Sequence, residues 1–229
     1  HIVQCAGKTP IERDEAFDVM SGVSHDITTL LHFADIYSID DQVIHQCMAH
    51  LKDKCPDPSR FAHDEESFFD DGSPHPPNLG YAHGLAGVAV AFSRYAKRYQ
   101  DNESEAWVIQ TMDLLDEHFH HECGYWPDMR LVKECCSLAE VTAAPPSWCG
   151  GHAGIALFYL ECYLHWPALK QRAQQGLERC VAIMVKSSEN QLQVPNLCCG
   201  FYGDLDLLHL IDQRVNDMAF DGLKETIDN

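Results

Sequence analysis

The chain has 229 residues, 45% of them hydrophobic and 22% charged, an ordinary globular composition with enough length to bury a substantial core. Its 16 Lys and Arg against 35 Asp and Glu give a net charge of −19, and no basic cluster stands out, which argues against nucleic acid or an anionic membrane as partner. The apolar runs are far shorter than the roughly 20 residues a membrane span requires.

In chain order, the first feature is a turn, Asp18-Val19-Met20-Ser21-Gly22-Val23-Ser24-His25, leading into an apolar run from Ile27 to Ala34. Cys55 to Pro77 then holds five of the eleven prolines and several acidic residues, and predicts a surface loop. Tyr81-Ala82-His83-Gly84-Leu85-Ala86-Gly87 opens a second apolar run, Val88 to Phe92. Ala106, Val108, Ile109, Met112, Leu114 and Leu115 recur at near-helical spacing and predict an amphipathic helix. His118-Phe119-His120-His121-Glu122-Cys123 has no zinc-finger or His-Glu-x-x-His spacing and is expected to close that helix.

Cys135-Cys136 falls in a polar stretch with no partner motif and receives no role, and Ala143-Ala144-Pro145-Pro146 forms a rigid lead-in to the next turn. Ser147-Trp148-Cys149-Gly150-Gly151-His152-Ala153-Gly154 is that third turn, ahead of the apolar run Ile155 to Leu160. Leu177, Cys180, Val181, Ile183 and Met184 predict another amphipathic helix. The fourth turn is Asn196-Leu197-Cys198-Cys199-Gly200-Phe201-Tyr202-Gly203, followed by Leu205, Leu207, Leu208 and Leu210.

The organising pattern is therefore repetition. Gly22, Gly84, Gly151 and Gly200 lie 62, 67 and 49 residues apart, room for two helices per unit. The run after each glycine is apolar on nearly all sides, whereas the intervening stretches are amphipathic. The reading is all-α, with inner apolar helices and outer amphipathic ones. Glycine is expected at each turn to permit unusual backbone conformations and close approach.

Eleven cysteines invite a disulfide scaffold. The odd count, the vicinal pairs and the lack of a visible export signal instead predict a reduced, cytoplasmic protein with some metal-binding thiols. Cys149, Cys198 and Cys199 come from two equivalent turns. Three thiolates can hold one Zn²⁺ and leave its fourth position open, the arrangement of a catalytic zinc; buried core thiols are the alternative.

The ordered set of Gly-x-x-Gly repeats, an Ala-His-Gly turn, a Trp-Cys-x-Gly turn and a Cys-Cys-Gly turn resembles the lanthionine cyclase (LanC-like) family. It is most similar to the C-terminal cyclase domain of class II lanthipeptide synthetases of the LanM type. The resemblance spans Asp18 to Leu210. It implies an α/α toroid of seven inner and seven outer helices with zinc at its mouth, here apparently incomplete. Residues 1–229 would then be a partial cyclase domain, separated from an upstream dehydratase domain and from the rest of a larger synthetase chain.

The resemblance further implies a Zn²⁺ cofactor on Cys149, Cys198 and Cys199, and a dehydrated ribosomal precursor peptide as partner. The reaction would add a peptide cysteine thiol to dehydroalanine or dehydrobutyrine, closing a thioether ring. A free thiol is only a few per cent thiolate at pH 7, and coordination to zinc deprotonates it. Three protein thiolates keep the bound sulfur electron-rich, which suits attack on carbon. His83 matches the acid/base histidine that protonates the α-carbon. Asp18 matches an aspartate that orients it, its alternative role being that of a cap at a helix N-terminus.

Three departures bear on proton transfer. The first turn reads Gly22-Val23-Ser24-His25 in place of Gly-x-x-Gly, Gly150 follows the first zinc cysteine, and Pro145 stands where some relatives have arginine. Gly150, Pro145 and the incomplete toroid favour, as the rival reading, a zinc-stabilised scaffold or peptide-binding module without catalysis. A glycosidase built on Asp70-Asp71 or Asp204 and Asp206 would leave the cysteines unexplained, and a glutathione-adding relative of the cyclases is chemically close.

Overall fold

A computed structural model describes residues 17–20, 22–34, 36–59, 61, 78–129, 147–188 and 196–215. The described residues form seven α-helices: α1 (Val23–Phe33), α2 (Asp41–Lys54), α3 (Leu85–Tyr99), α4 (Asn102–Glu117), α5 (His152–His165), α6 (Lys170–Ser188) and α7 (Phe201–Arg214). A short 3₁₀ turn, Pro167–Leu169, joins α5 to α6. An isolated β-bridge links His120 to Tyr125. The all-α expectation holds.

Burial sorts the helices into two layers. In α3 every residue from Leu85 to Ser93, with Tyr95 and Ala96, is buried, so the helix is enclosed on nearly all sides. α5 is similar, buried from His152 to Ala156 and again from Phe158 to Tyr163. By contrast α4 buries a single stripe, Ser104, Trp107, Val108, Thr111, Met112 and Leu115, at the i, i+3, i+4 spacing of a helix with one wet face. α1, α3, α5 and α7 pack in sequence as an inner row, while α2, α4 and α6 each back the inner helix that precedes them.

Local signals set the helix ends. Asp101 accepts from Ser104 N at 2.8 Å and Asp40 from Gln42 N at 2.9 Å, caps of a kind worth about 1 kcal/mol each. α3 ends in left-handed Gln100, at φ 55°. The outer helices are joined by charge. Lys52 of α2 reaches Asp101 and Glu103 at 2.7 and 2.8 Å, and Asp116 of α4 takes Arg172 and Arg179 of α6 at 2.8 and 2.7 Å. Between the layers Phe92 stacks on Trp107, and Trp126 donates its indole N–H to the Leu115 carbonyl at 2.7 Å.

The four inner helices begin at the same end of the molecule, each behind its glycine turn. Gly22, Gly84, Gly151 and Gly200 are the N-cap residues, with extended φ between −108° and −144°. Any residue adopts such a backbone, so unusual conformation is not why glycine stands there. Close approach is the reason at Gly22 and Gly84. A Cβ on Gly84 would run into the carbonyls of Asn78 and Gly80, and one on Gly154 into Trp148 O and Tyr81 N.

The first turn keeps this plan despite its altered sequence. Ser24 N bonds Phe17 O at 3.3 Å just as Ala86 N, 62 residues later, bonds Leu79 O at 3.3 Å. Residues 62–77 of the proline-rich loop, Cys135-Cys136 and the lead-in containing Pro145 lie outside the described residues, as do Asp70 and Asp71. No described helix is long and apolar enough to cross a membrane.

Candidate active site

The turns before α1, α3 and α5 are stitched together side by side by backbone hydrogen bonds. Val19 N donates to Ala82 O at 3.2 Å, Tyr81 N to Trp148 O at 3.0 Å, and Ala82 N to Cys149 O at 3.1 Å. Tyr81 and Trp148 meet edge to face at 5.8 Å. Gly80 lies so close to Gly150 that any side chain on it would collide with the Cys149–Gly150 backbone.

On this frame the three predicted cysteines converge. The Sγ atoms of Cys149, Cys198 and Cys199 all lie within 4.8 Å of one another. Cys198 and Cys199 are 3.3 Å apart and Cys199 and Cys149 3.7 Å, too long for disulfides. Cys149 Sγ also reaches Cys198 O at 3.6 Å. Four sulfurs held at about 2.3 Å around zinc stand about 3.8 Å from each other, so these separations match three corners of such a tetrahedron. Cys198 and Cys199 are exposed and Cys149 half-buried, which leaves the cluster open on its outer side.

The electrostatics point the same way. Burial, reinforced by hydrogen bonds to and negative charge on Cys198 and Cys199, pushes the Cys149 thiol well above its ordinary range. Three sulfurs this close resist ionising together unless a cation shares them. The donor set therefore fits Zn²⁺.

Asp18 and His83 come together as expected. His83 Nδ1 lies 2.7 Å from Asp18 Oδ2, with Asp18 buried and the His83 side chain 41% exposed. Because a carboxylate only accepts, this contact holds the neutral ring as its Nδ1–H tautomer, with the lone pair on Nε2. Gly22 is the N-cap of α1, and Asp18 stands four residues before it. Asp18 Oδ1 accepts from Met20 N at 2.9 Å, so one carboxylate shapes its own turn and orients the histidine.

Other candidates resolve differently. His118 closes α4 as its C-cap, and His120 Nδ1 lies 3.2 Å from Cys123 N, within the turn after the helix. The described residues bring three or more ligand-type side chains together only at Cys149, Cys198 and Cys199. Asp204 is 1% exposed, no hydrogen bond reaches either oxygen, and burial raises its carboxyl to about 7. Asp206 is exposed, so the two carboxylates do not face one site.

Two supporting side chains, Asn196 and Ser147, are not among the residues to which the sequence assigns a role. Asn196 Oδ1 accepts from Cys199 N at 2.7 Å, and Ser147 Oγ from Gly150 N at 3.3 Å. A signal for them exists: Asp18, Ser147 and Asn196 each stand four residues before the turn glycine, and all are side chains that fold back on their own backbone.

Comparison with known proteins agrees with this geometry. The family model described as lanthionine synthetase C-like protein matches residues 4–229. The nisin biosynthesis protein NisC of Lactococcus lactis subsp. lactis is 24% identical over 156 residues, covering 65% of this chain and 36% of that protein. The structure of a nisin cyclase superposes with a TM-score of 0.64 at 18% identity, over 97% of this chain and 58% of that one. The inner and outer rows of helices thus belong to an α/α toroid, and the chain spans a little over half of the solved relative.

Proposed function

Given that the chain belongs to the lanthionine synthetase C-like family, we propose that it is a zinc-dependent lanthipeptide cyclase region. It closes thioether rings by adding peptide cysteine sulfur to dehydroalanine or dehydrobutyrine within a dehydrated ribosomal precursor. The observation that carries this reading is the meeting of three thiols within 4.8 Å with an Asp18–His83 pair on a neighbouring turn. Cys149, Cys198 and Cys199 would hold the metal. Zinc, when bound there, lowers the pKa of a thiol brought to it.

The chain's own residues account for the remaining steps. The bare Nε2 of the neutral His83 ring takes the proton of the substrate S–H, and the sulfur forms a bond to the β-carbon of the dehydroamino acid. The displaced π electrons move toward the carbonyl, and His83 delivers a proton from Nε2 to the α-carbon. Asp18 keeps that nitrogen facing outward. Atoms and electrons balance as S–H addition across C=C, with no oxidant or reductant. A positioned acid of this type is worth about 10²- to 10⁴-fold.

The Cys198-Cys199-Gly200 turn supports a class II, LanM-type origin, with a dehydratase elsewhere in a larger synthetase. We place the chain in the reducing cytoplasm, where thiols stay available to bind metal. A second reading, a zinc-stabilised peptide-binding module without catalysis, draws on Gly150, which presents no side chain beside Cys149.

Zinc content after dialysis, compared between the wild type and Cys198→Ala, tests the metal. Ring closure conserves mass, so it is read as loss of the peptide thiol that N-ethylmaleimide alkylates. One zinc per chain with ring closure supports a cyclase; zinc without ring closure leaves the binding module. A folded wild type that retains no zinc would overturn both.

A further inference from the structure

The face carrying the thiols differs in character from the rest of the protein. The four turns, residues 17–24, 78–87, 147–154 and 196–203, contain no Lys or Arg and a single acidic residue, the buried Asp18. The chain as a whole carries 51 charged side chains, 35 acidic and 16 basic, so an almost uncharged set of turns is a local departure.

Large apolar side chains stand exposed on the same turns. Leu197, immediately before Cys198, is 66% exposed, and Tyr202, two residues after Gly200, is 53% exposed. Met20 is 54% exposed on the turn whose Asp18 orients His83, and its own amide bonds that carboxylate. Counting from the turn glycines, Met20 holds the place that Cys149 and Cys198 hold in the third and fourth turns. Leu197 in turn holds the place of Tyr81 and Trp148, which are half-buried against each other.

We propose that Leu197 and Tyr202 beside the thiols, and Met20 beside the acid/base pair, form a recognition rim for peptides with uncharged, apolar residues flanking the reacting cysteine and its acceptor. The inference rests on the cyclase reading and names its substrate class. A peptide sulfur that reaches three thiols bracketed by Leu197 and Tyr202 carries its neighbouring residues over those two side chains. Around the dehydroamino acid presented to His83, Met20 does the same. Burying one leucine-sized side chain against such a rim corresponds to about a tenfold gain in affinity or more.

Short fluorescent peptides with one cysteine test this on the zinc-loaded chain, by anisotropy, so that the readout is binding and not turnover. The cysteine is flanked by Leu and Phe in one peptide and by Ser and Gly in another, which holds net charge constant. Two further peptides repeat these flanks with Ser in place of the cysteine. Wild type is expected to bind the Leu/Phe peptide about tenfold tighter than the Ser/Gly peptide, with both weakened by loss of the thiol. Leu197→Ser with Tyr202→Ser shrinks that preference to about twofold or less while zinc content and helicity stay at wild-type values. Met20→Ser, on a separate turn, reduces it independently should the double variant misfold.

Equal binding of the two flanking sequences by wild type, with thiol dependence intact, overturns the rim and spares the cyclase reading. Binding indifferent to the cysteine overturns the cyclase reading itself.

Discussion

Ala82 donates its amide to the carbonyl of Cys149 at 3.1 Å, and its own carbonyl accepts from Val19 at 3.2 Å. A single residue thereby ties the Asp18 turn to the third turn, with His83 next in the chain and a zinc-fitting thiol at the other end of the bond. The Asp18–His83 pair and Cys149 are held in register by backbone, which no side-chain substitution removes directly.

Removal of the acid is therefore expected to leave the metal in place. His83→Ala should retain zinc and lose about 10²- to 10⁴-fold in ring-closure rate. Asp18→Asn keeps the acceptor for Met20 N but presents an amide N–H to His83 Nδ1, favouring the opposite tautomer. It should lose about 10²-fold or more with unchanged urea stability, and the pH–rate profile should change shape as well as height.

Close approach at the turns makes one methyl group expensive. In Gly154→Ala the new Cβ meets Trp148 O and Tyr81 N, both backbone atoms that cannot swing aside. The expected loss is about 1–3 kcal/mol in urea unfolding, together with weaker zinc retention because Trp148 precedes Cys149. Gly124→Ala provides the contrast, since its Cβ would meet nothing within 4 Å, although its φ of 74° adds a smaller backbone strain.

Asn196 holds the turn that presents the vicinal pair. Asn196→Ala leaves Cys199 N without its 2.7 Å acceptor. Zinc affinity should fall about 10- to 100-fold, as it does when groups supporting metal ligands are removed, while far-ultraviolet circular dichroism stays constant. A competition titration with a chromogenic chelator measures it.

Asp204 gives the fold a distinctive pH dependence. Its carboxyl rises to about 7 when folded, against an ordinary value near 4 in the unfolded chain. Between these limits the folded form holds a proton that the unfolded form has lost, so this group's contribution declines as pH rises from about 4 to 7. It falls by up to about 4 kcal/mol, then stays flat. Val88 and Ile155 hold the equivalent place on α3 and α5. Asp204→Val should raise stability at pH 8 more than at pH 5, seen in urea midpoints at the two values.

The sequence alone determined the helical class, the layering and the thiol set. Glycines at 62, 67 and 49 residues, with apolar runs behind them, carry enough periodicity to place inner and outer helices. Metal-ligating chemistry is confined to few residue types, so Cys149, Cys198 and Cys199 were legible as a group. The Asp18–His83 pairing needed a resemblance, because 65 residues of chain separate two common side chains.

Only the tertiary structure decided why the turns are glycine. The extended φ values of Gly22 and Gly84 forbid nothing, and the constraint there is the backbone of their own turn, while at Gly80 and Gly154 the backbone of a neighbouring turn closes in. It likewise decided that the first turn closes normally despite His25, that Asp18 divides its two oxygens between His83 and Met20, and that Asp204 is buried without a hydrogen bond. The Asp18–His83 contact depends on which turns lie side by side, a relation between residues distant in sequence that local pattern does not encode.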